Sequence, residues 1–327
     1  MSEAGKPLTV PKELLGPPGD FNPTLLMFIA AVVLAIVSTV GHFCWHWHDW
    51  CSFLMNLTAL HLVGTVIHDA CHNAAHRNRI INAILGHGSA QMLCFSFPVF
   101  TRVHMQHHAN VNDPDNDPDH VVSTMGPLWL INARFFYHEV YFFQRRLWRK
   151  FELWEWVIAR SLLALVVFLG YQYGFIGYIF NFWFVPLALV GWELGLFFDY
   201  LPHRPFKERD RWKNARVYPS RILNWMIMGQ NYHLVHHLWP SIPWYNYERA
   251  YIATKPLLDA KGSHQSLGLL KTTRDFFGFL YDVVLGIRFH RKEHRKDTSE
   301  NPASDAPTFT NPSTEELLLP EEIISSP

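Results

Sequence analysis

Four apolar stretches leave this chain few ways to fold. They are 24–43 (TLLMFIAAVVLAIVSTVGHF), 51–67 (CSFLMNLTALHLVGTVI), 157–173 (VIARSLLALVVFLGYQY) and 176–198 (IGYIFNFWFVPLALVGWELGLFF). A helix needs about 20 mostly apolar residues to cross a bilayer, with about 17 as the lower limit. The second and third stretches are close to that limit, and Arg160 in the third is expected near an interface. Composition agrees with a membrane protein: 49% of residues are apolar and 15% aromatic, and charged residues reach only 17%, against roughly 25% in soluble domains. The expected fold class is all-α, an integral membrane protein with four transmembrane helices.

A fifth candidate, 82–100 (NAILGHGSAQMLCFSFPVF), is interrupted by Gly86, His87, Gly88, Ser89 and Gln91. Lys and Arg decide against its crossing. The loops at 44–50 and 174–175 carry no Lys or Arg. With four crossings, Lys6, Lys12, Arg77, Arg79, Arg145, Arg146, Arg149, Lys150, Arg204, Lys207 and Arg209 all fall on the other side. Basic loops mark the cytoplasmic side, so both termini are expected there and 82–100 is expected to be interfacial or re-entrant. Polar residues and prolines fill 1–23, with no signal peptide expected. Residues 1–290 read as one membrane-embedded domain. From 291, "RKEHRKD" is a basic run suited to anionic headgroups, and the Pro-, Ser- and Glu-rich remainder to 327 reads as a disordered tail. The formal charge of zero gives no sign of a nucleic-acid partner. Cys44, Cys51, Cys71 and Cys94 form no metal or disulfide spacing and read as apolar fillers.

Twenty histidines are the anomaly. "HDACHNAAH" places His68, His72 and His76 at every fourth residue; "HMQHH" supplies His104, His107 and His108; "HLVHH" supplies His233, His236 and His237. Positions i, i+3 and i+4 share a helical face, so each box presents its imidazoles in one direction. Under the four-span topology all three boxes lie at the cytoplasmic ends of the spans, in a helical cap. Even without His76, the eight imidazoles of these boxes exceed what one metal can use, which points to two ions. Imidazole suits Zn, Cu, Fe and Ni, so ligand type alone leaves the metal open. His42 and His46 fall on the opposite side, among Trp45, Trp47 and Trp50, and read as interfacial residues. "DPDNDPD" (113–119) has calcium-loop spacing, but Pro118 and Thr124 stand where Gly and Glu are required, so it reads as a rigid acidic turn. Asp69, Asp199 and Glu193 are candidates to orient an imidazole, with nothing in the sequence to choose among them.

The HxxxH, HxxHH and HxxHH boxes, interleaved with two pairs of spans, resemble the membrane fatty-acid desaturase and hydroxylase superfamily over about 50–290. The resemblance implies two iron ions that activate dioxygen against an unactivated C–H bond, chemistry for which zinc lacks the redox capacity. It also implies a further ligand between the fourth span and the last box, which falls on His203 in "DYLPHRP". The implied set is therefore His68, His72, His104, His107, His108, His203, His233, His236 and His237; His76, one turn beyond His72, stays outside it, open between ligating and hydrogen-bonding a ligand. The wording of "HDACHNAAHRNRIINAILGHGSA", "FPVFTRVHMQHHANVNDPDNDPDH", "FFDYLPHRPF" and "GQNYHLVHHLWPSIPWYNY" further resembles the β-carotene hydroxylases of cyanobacterial type. That resemblance implies hydroxylation at carbon 3 of the β-ionone ring, giving zeaxanthin through β-cryptoxanthin, with electrons from a ferredoxin-type donor. A carotenoid 4-ketolase, an acyl-lipid desaturase and a histidine-rich metal transporter are the other readings.

Overall fold

The computed structural model describes residues 10–16, 19–269 and 271–287. The expected tail from 291 lies outside the described residues. Among them the fold is all-α, with isolated bridges at Met125–Ile287 and Arg216–His264 in place of any strand.

Four helices are long and apolar enough to span a membrane: α1 (Pro23–Cys44), α2 (Asp49–Cys71), and two later helices, Glu152–Gln172 and Ile176–His203. The α1 helix starts at Asn22, whose side chain accepts from Leu25 N at 3.0 Å, with Pro23 at the first helical position. There its missing N–H costs nothing. It forms an antiparallel hairpin with α2, pinned at both ends. Thr24 Oγ1 donates to Asp69 at 2.8 Å at one end, and Ser38 and Ser52 exchange side-chain bonds to each other's carbonyl at the other. Burial along α2 is uneven: Val63 to Cys71 is continuously buried. This helix therefore carries its C-terminal end, and the first histidine box, into the protein interior.

The interrupted segment resolves into α3 (Arg79–Met92) and α4 (Phe97–Asn110), bent by 98°. Ile80 and Ile84 of α3 point outward, while Asn82, Leu85, Ser89 and Ala90 pack inward. The excursion begins beside His72 and returns with His104, whose Nε2 lies 3.0 Å from that of His72. This return to His72 is what a re-entrant segment does. Short helices follow, α5 (Pro118–Thr124) and α6 (Phe136–Gln144).

Helix α7 (Glu152–Gln172) turns Ile158, Leu162, Leu165, Val166 and Phe168 outward, as a lipid-facing span does. Arg160 lies two turns inside it. It pairs with Glu139 at 2.8 Å and donates to Cys94 O at 2.7 Å, so its charge is matched by protein. Helix α8 (Ile176–His203) runs five residues beyond the apolar stretch, and its turns widen to i→i+5 bonding over Phe180–Phe184 and Gly195–Tyr200. His203 therefore closes the last turn of the span helix, where the sequence reading had placed it past the span.

The cap contains α9 (Arg221–Met226), α10 (His233–Leu238), α11 (Tyr247–Ala260) and α12 (Thr273–Val284). Its core joins Val217, Leu234, Val235, Leu238, Ile242, Tyr247, Ala250 and Leu258. Gly229 turns the chain into the third box at φ +82°, and a Cβ there would meet Trp244 O at 2.9 Å. Only glycine suits both demands.

Candidate metal centre and its cleft

Each box reaches the centre on a different element. His68 is on the last turn of α2 with His72 capping it, His104, His107 and His108 share a face of α4, and His233, His236 and His237 lie on α10. His203 arrives from α8. The side chains gather into two sets. His68, His72, His104 and His236 form one, and His107, His203, His233 and His237 the other; within each set the ligand atoms lie within 4.8 Å of one another. His108 sits between them, its Nε2 2.9 Å from that of His236 and 3.1 Å from that of His104, its ring stacked on His237 at 4.4 Å. All nine expected residues are thus brought together.

His76 is not among them. Its Nδ1 accepts from Asn78 N at 2.9 Å and its Nε2 donates to Asp20 O at 3.3 Å. Both nitrogens serve the chain's own folding.

Outer bonds aim several imidazoles. His107 Nδ1 donates to Asp117 at 2.9 Å, His203 Nδ1 to Asn214 O at 3.0 Å, and His233 Nδ1 to Gln230 Oε1 at 3.1 Å; His236 Nδ1 meets Tyr247 Oη at 2.9 Å. Fixing the proton on Nδ1 leaves the Nε2 lone pair for a metal. Asp117 comes from the acidic turn, which is held by Tyr141 Oη donating to Asn116 O and by Arg209 on Asp113. The turn's carboxylates face His107, His138 and backbone N–H groups. The three sequence candidates do other work: Asp69 accepts from Thr24, Glu193 accepts from His61 at 2.9 Å, and Asp199 bonds no imidazole.

The residues fit a pair of metal ions. His68 is 1% exposed, yet neither of its ring nitrogens has a partner. A buried nitrogen left unpaired costs about 1–3 kcal/mol, and a cation at the imidazole relieves it. Burial, reinforced by neighbouring imidazoles, pushes His72, His104, His108, His233, His236 and His237 well below the ordinary imidazole range. They are neutral, as ligation requires. At His107 burial also lowers the pKa, but Asp117 and Asp119 outweigh it and carry it up to about 9. The negative field that favours a proton at Nε2 favours a metal cation there equally.

A cleft with about 770 Å³ of empty space, its open mouth included, ends on His68, His104, His107 and His233. Leu93, Phe95, Phe100, Leu187, Leu194 and Phe198 supply much of its wall.

The fatty acid desaturase family model matches residues 45–267, more than half of the chain. The protein belongs to that family, the membrane superfamily with histidine-box di-iron centres. Among its curated relatives, a β-carotene ketolase of Paracoccus sp. (strain PC1) is 29% identical over 191 residues, covering 56% of this chain and 71% of the relative. A second β-carotene ketolase, from Paracoccus sp. (strain N81106 / MBIC 01143), is 29% identical over 245 residues, covering 70% and 93%. An sn-1 oleoyl-lipid 12-desaturase of Picosynechococcus sp. is 24% identical over 278 residues, covering 72% and 78%.

Proposed function

We propose that this protein hydroxylates carbon 3 of the β-ionone ring of carotenoids, converting β-carotene through β-cryptoxanthin to zeaxanthin. The observation that carries the reading is an apolar, aromatic cleft ending on the two imidazole sets. A carotenoid dissolves only in the bilayer and offers no charge to hold, so shape in an apolar pocket must select its ring. The wording of the boxes supports hydroxylation within the superfamily.

His68, His72, His104 and His236 would hold one iron and His107, His203, His233 and His237 the other, with His108 available to either. When bound, the irons supply the reduction of dioxygen that makes an unactivated C–H bond attackable. The overall reaction is R–H + O2 + 2 electrons + 2 protons giving R–OH + H2O. The chain's part is to aim neutral imidazoles through their Nδ1 bonds and to keep bulk water out with Phe95, Phe100 and Phe198. No flavin or haem motif occurs in the sequence, so the electrons come from outside, from a ferredoxin-type donor on the basic face. The basic loops support a cytoplasmic position for that face and both termini.

A second reading has a specific observation behind it, the two relatives named as β-carotene ketolases. Expression in cells accumulating β-carotene separates the two. Zeaxanthin with cryptoxanthin as intermediate is expected; echinenone or canthaxanthin moves the protein to ketolation, and new lipid double bonds with unchanged carotenoids reject both.

A further inference from the structure

Two acceptors in the cleft are left over after the imidazole sets are accounted for. His138, on α6, is 6% exposed and its Nε2 donates to Asp119 at 2.8 Å. That bond leaves Nδ1 as a bare lone pair, and Nδ1 is buried without a partner. Asp199, in the widened turn of α8, likewise has a buried Oδ2 with no partner. Both residues line the cleft, and neither belongs to an imidazole set. Neither atom is answered by a hydrogen bond; their neighbours along the wall are Phe135, Phe198, His107 and Asp119.

Lone pairs of this kind call for a hydroxyl donor. A buried acceptor left unpaired is costly, whereas an O–H delivered to it is a short, favourable bond. The apolar part of the wall is poorly suited to a hydroxyl, because Leu93, Phe95, Leu187 and Leu194 offer it nothing. We infer that Asp199 and His138 form a hydroxyl-binding subsite within the cleft, which takes the newly made alcohol of a ring-hydroxylated product and holds water before that alcohol exists. The assignment of the alcohol rests on the hydroxylase reading; the two acceptors and their burial do not. An alcohol donates its one O–H to one of these acceptors in place of water, so the product binds without leaving that O–H unpaired. The subsite favours rings that already carry oxygen and slows their departure.

The full-length protein in lipid nanodiscs, loaded with iron, tests this through quenching of tryptophan fluorescence by β-carotene and by β-cryptoxanthin. Wild type should bind the hydroxylated carotenoid more tightly, and Asp199→Leu should reduce that preference about fivefold, the worth of one ordinary hydrogen bond. Iron content should stay at the wild-type level. Asp199→Asn keeps an oxygen acceptor of the same shape and should retain most of the preference, which also serves if the leucine variant does not fold. If both variants keep the wild-type preference but turn over β-carotene more slowly at full iron content, the occupant is water alone. Unchanged preference together with unchanged turnover overturns the subsite. Absence of any hydroxylated carotenoid from wild type overturns the hydroxylase reading instead, and the product-alcohol assignment with it.

Discussion

The two imidazole sets are held in different ways. In the set of His107, His203, His233 and His237, three members have their outer nitrogen tied to protein, by Asp117, the Asn214 carbonyl and Gln230. In the set of His68, His72, His104 and His236, among the described residues only His236 is tied in this way, to Tyr247. His68 has no partner at either nitrogen. The first arrangement is organised before a metal arrives. The second would get more of its order from the metal itself. A metal bound there would have to order more of its surroundings, so a lower net affinity is expected. The set with the outer bonds should fill first and empty last.

Removing a ligand from the better-held set should have the largest effect. His203→Ala deletes an imidazole whose Nε2 is 3.1 Å from that of His233. It should cut turnover by more than about a hundredfold, beyond the 10–100-fold typical of losing an outer partner, and iron should fall from two ions towards one per chain. Retention of both ions with wild-type turnover would remove His203 from the site and break the proposed pairing of sets.

Asp117→Asn is the sharper test of the difference between the sets. It keeps the shape but removes the charge that holds His107 Nδ1. A loss of about 10–100-fold in metal affinity is expected, confined to one of the two ions. Tyr247→Phe, the counterpart in the other set, removes one neutral bond to His236 and should cost only about fivefold, near the 1 kcal/mol of an ordinary hydrogen bond. Stepwise iron titration of both variants measures the contrast. Equal losses, or Tyr247 outweighing Asp117, would show that the outer bonds do not set the order of filling.

The parts of this arrangement that sequence could reveal are those written in local spacing. Four spans and three boxes follow from apolar length and from i, i+3, i+4 repeats, because both are properties of a single helix. The excursion of 82–100 was legible as a non-crossing segment from Lys and Arg placement, but its 98° bend was not, since it depends on the packing of α3 against α2. The acidic turn was legible as a turn, and a carboxylate ten residues after His107 was the available signal for Asp117. Gln230 stands three residues before His233, a spacing at which side chains meet. Asn214 left no signal, because it acts through its carbonyl, which every residue has. His138 left none either: it is a lone histidine, and its bond to Asp119 exists only because α5 and α6 pack together. Asp199 was visible as a candidate to orient a ligand and proves to face the cleft instead.

The smallest effect is expected from His76, which tests whether membership of a box-like repeat or the geometry at the nitrogens decides function. His76 continues the every-fourth-residue spacing of His68 and His72, so spacing alone would make it a ligand. Its nitrogens are instead consumed by Asp20 O and by the N–H of Asn78 at the start of α3. It is buried at 2% exposure, and it ties the segment before α1 to the turn that begins the re-entrant excursion. His76→Ala leaves that N–H and that carbonyl unpaired, which costs about 1–3 kcal/mol of stability. Thermal unfolding in detergent should therefore begin at lower temperature, while iron stays at two per chain and turnover within about twofold of wild type, far less than a lost tenfold per 1.4 kcal/mol of binding would give. Loss of one iron ion in this variant, with stability unchanged, would place His76 at the metal and make the set of His68, His72, His104 and His236 the more elaborately held of the two.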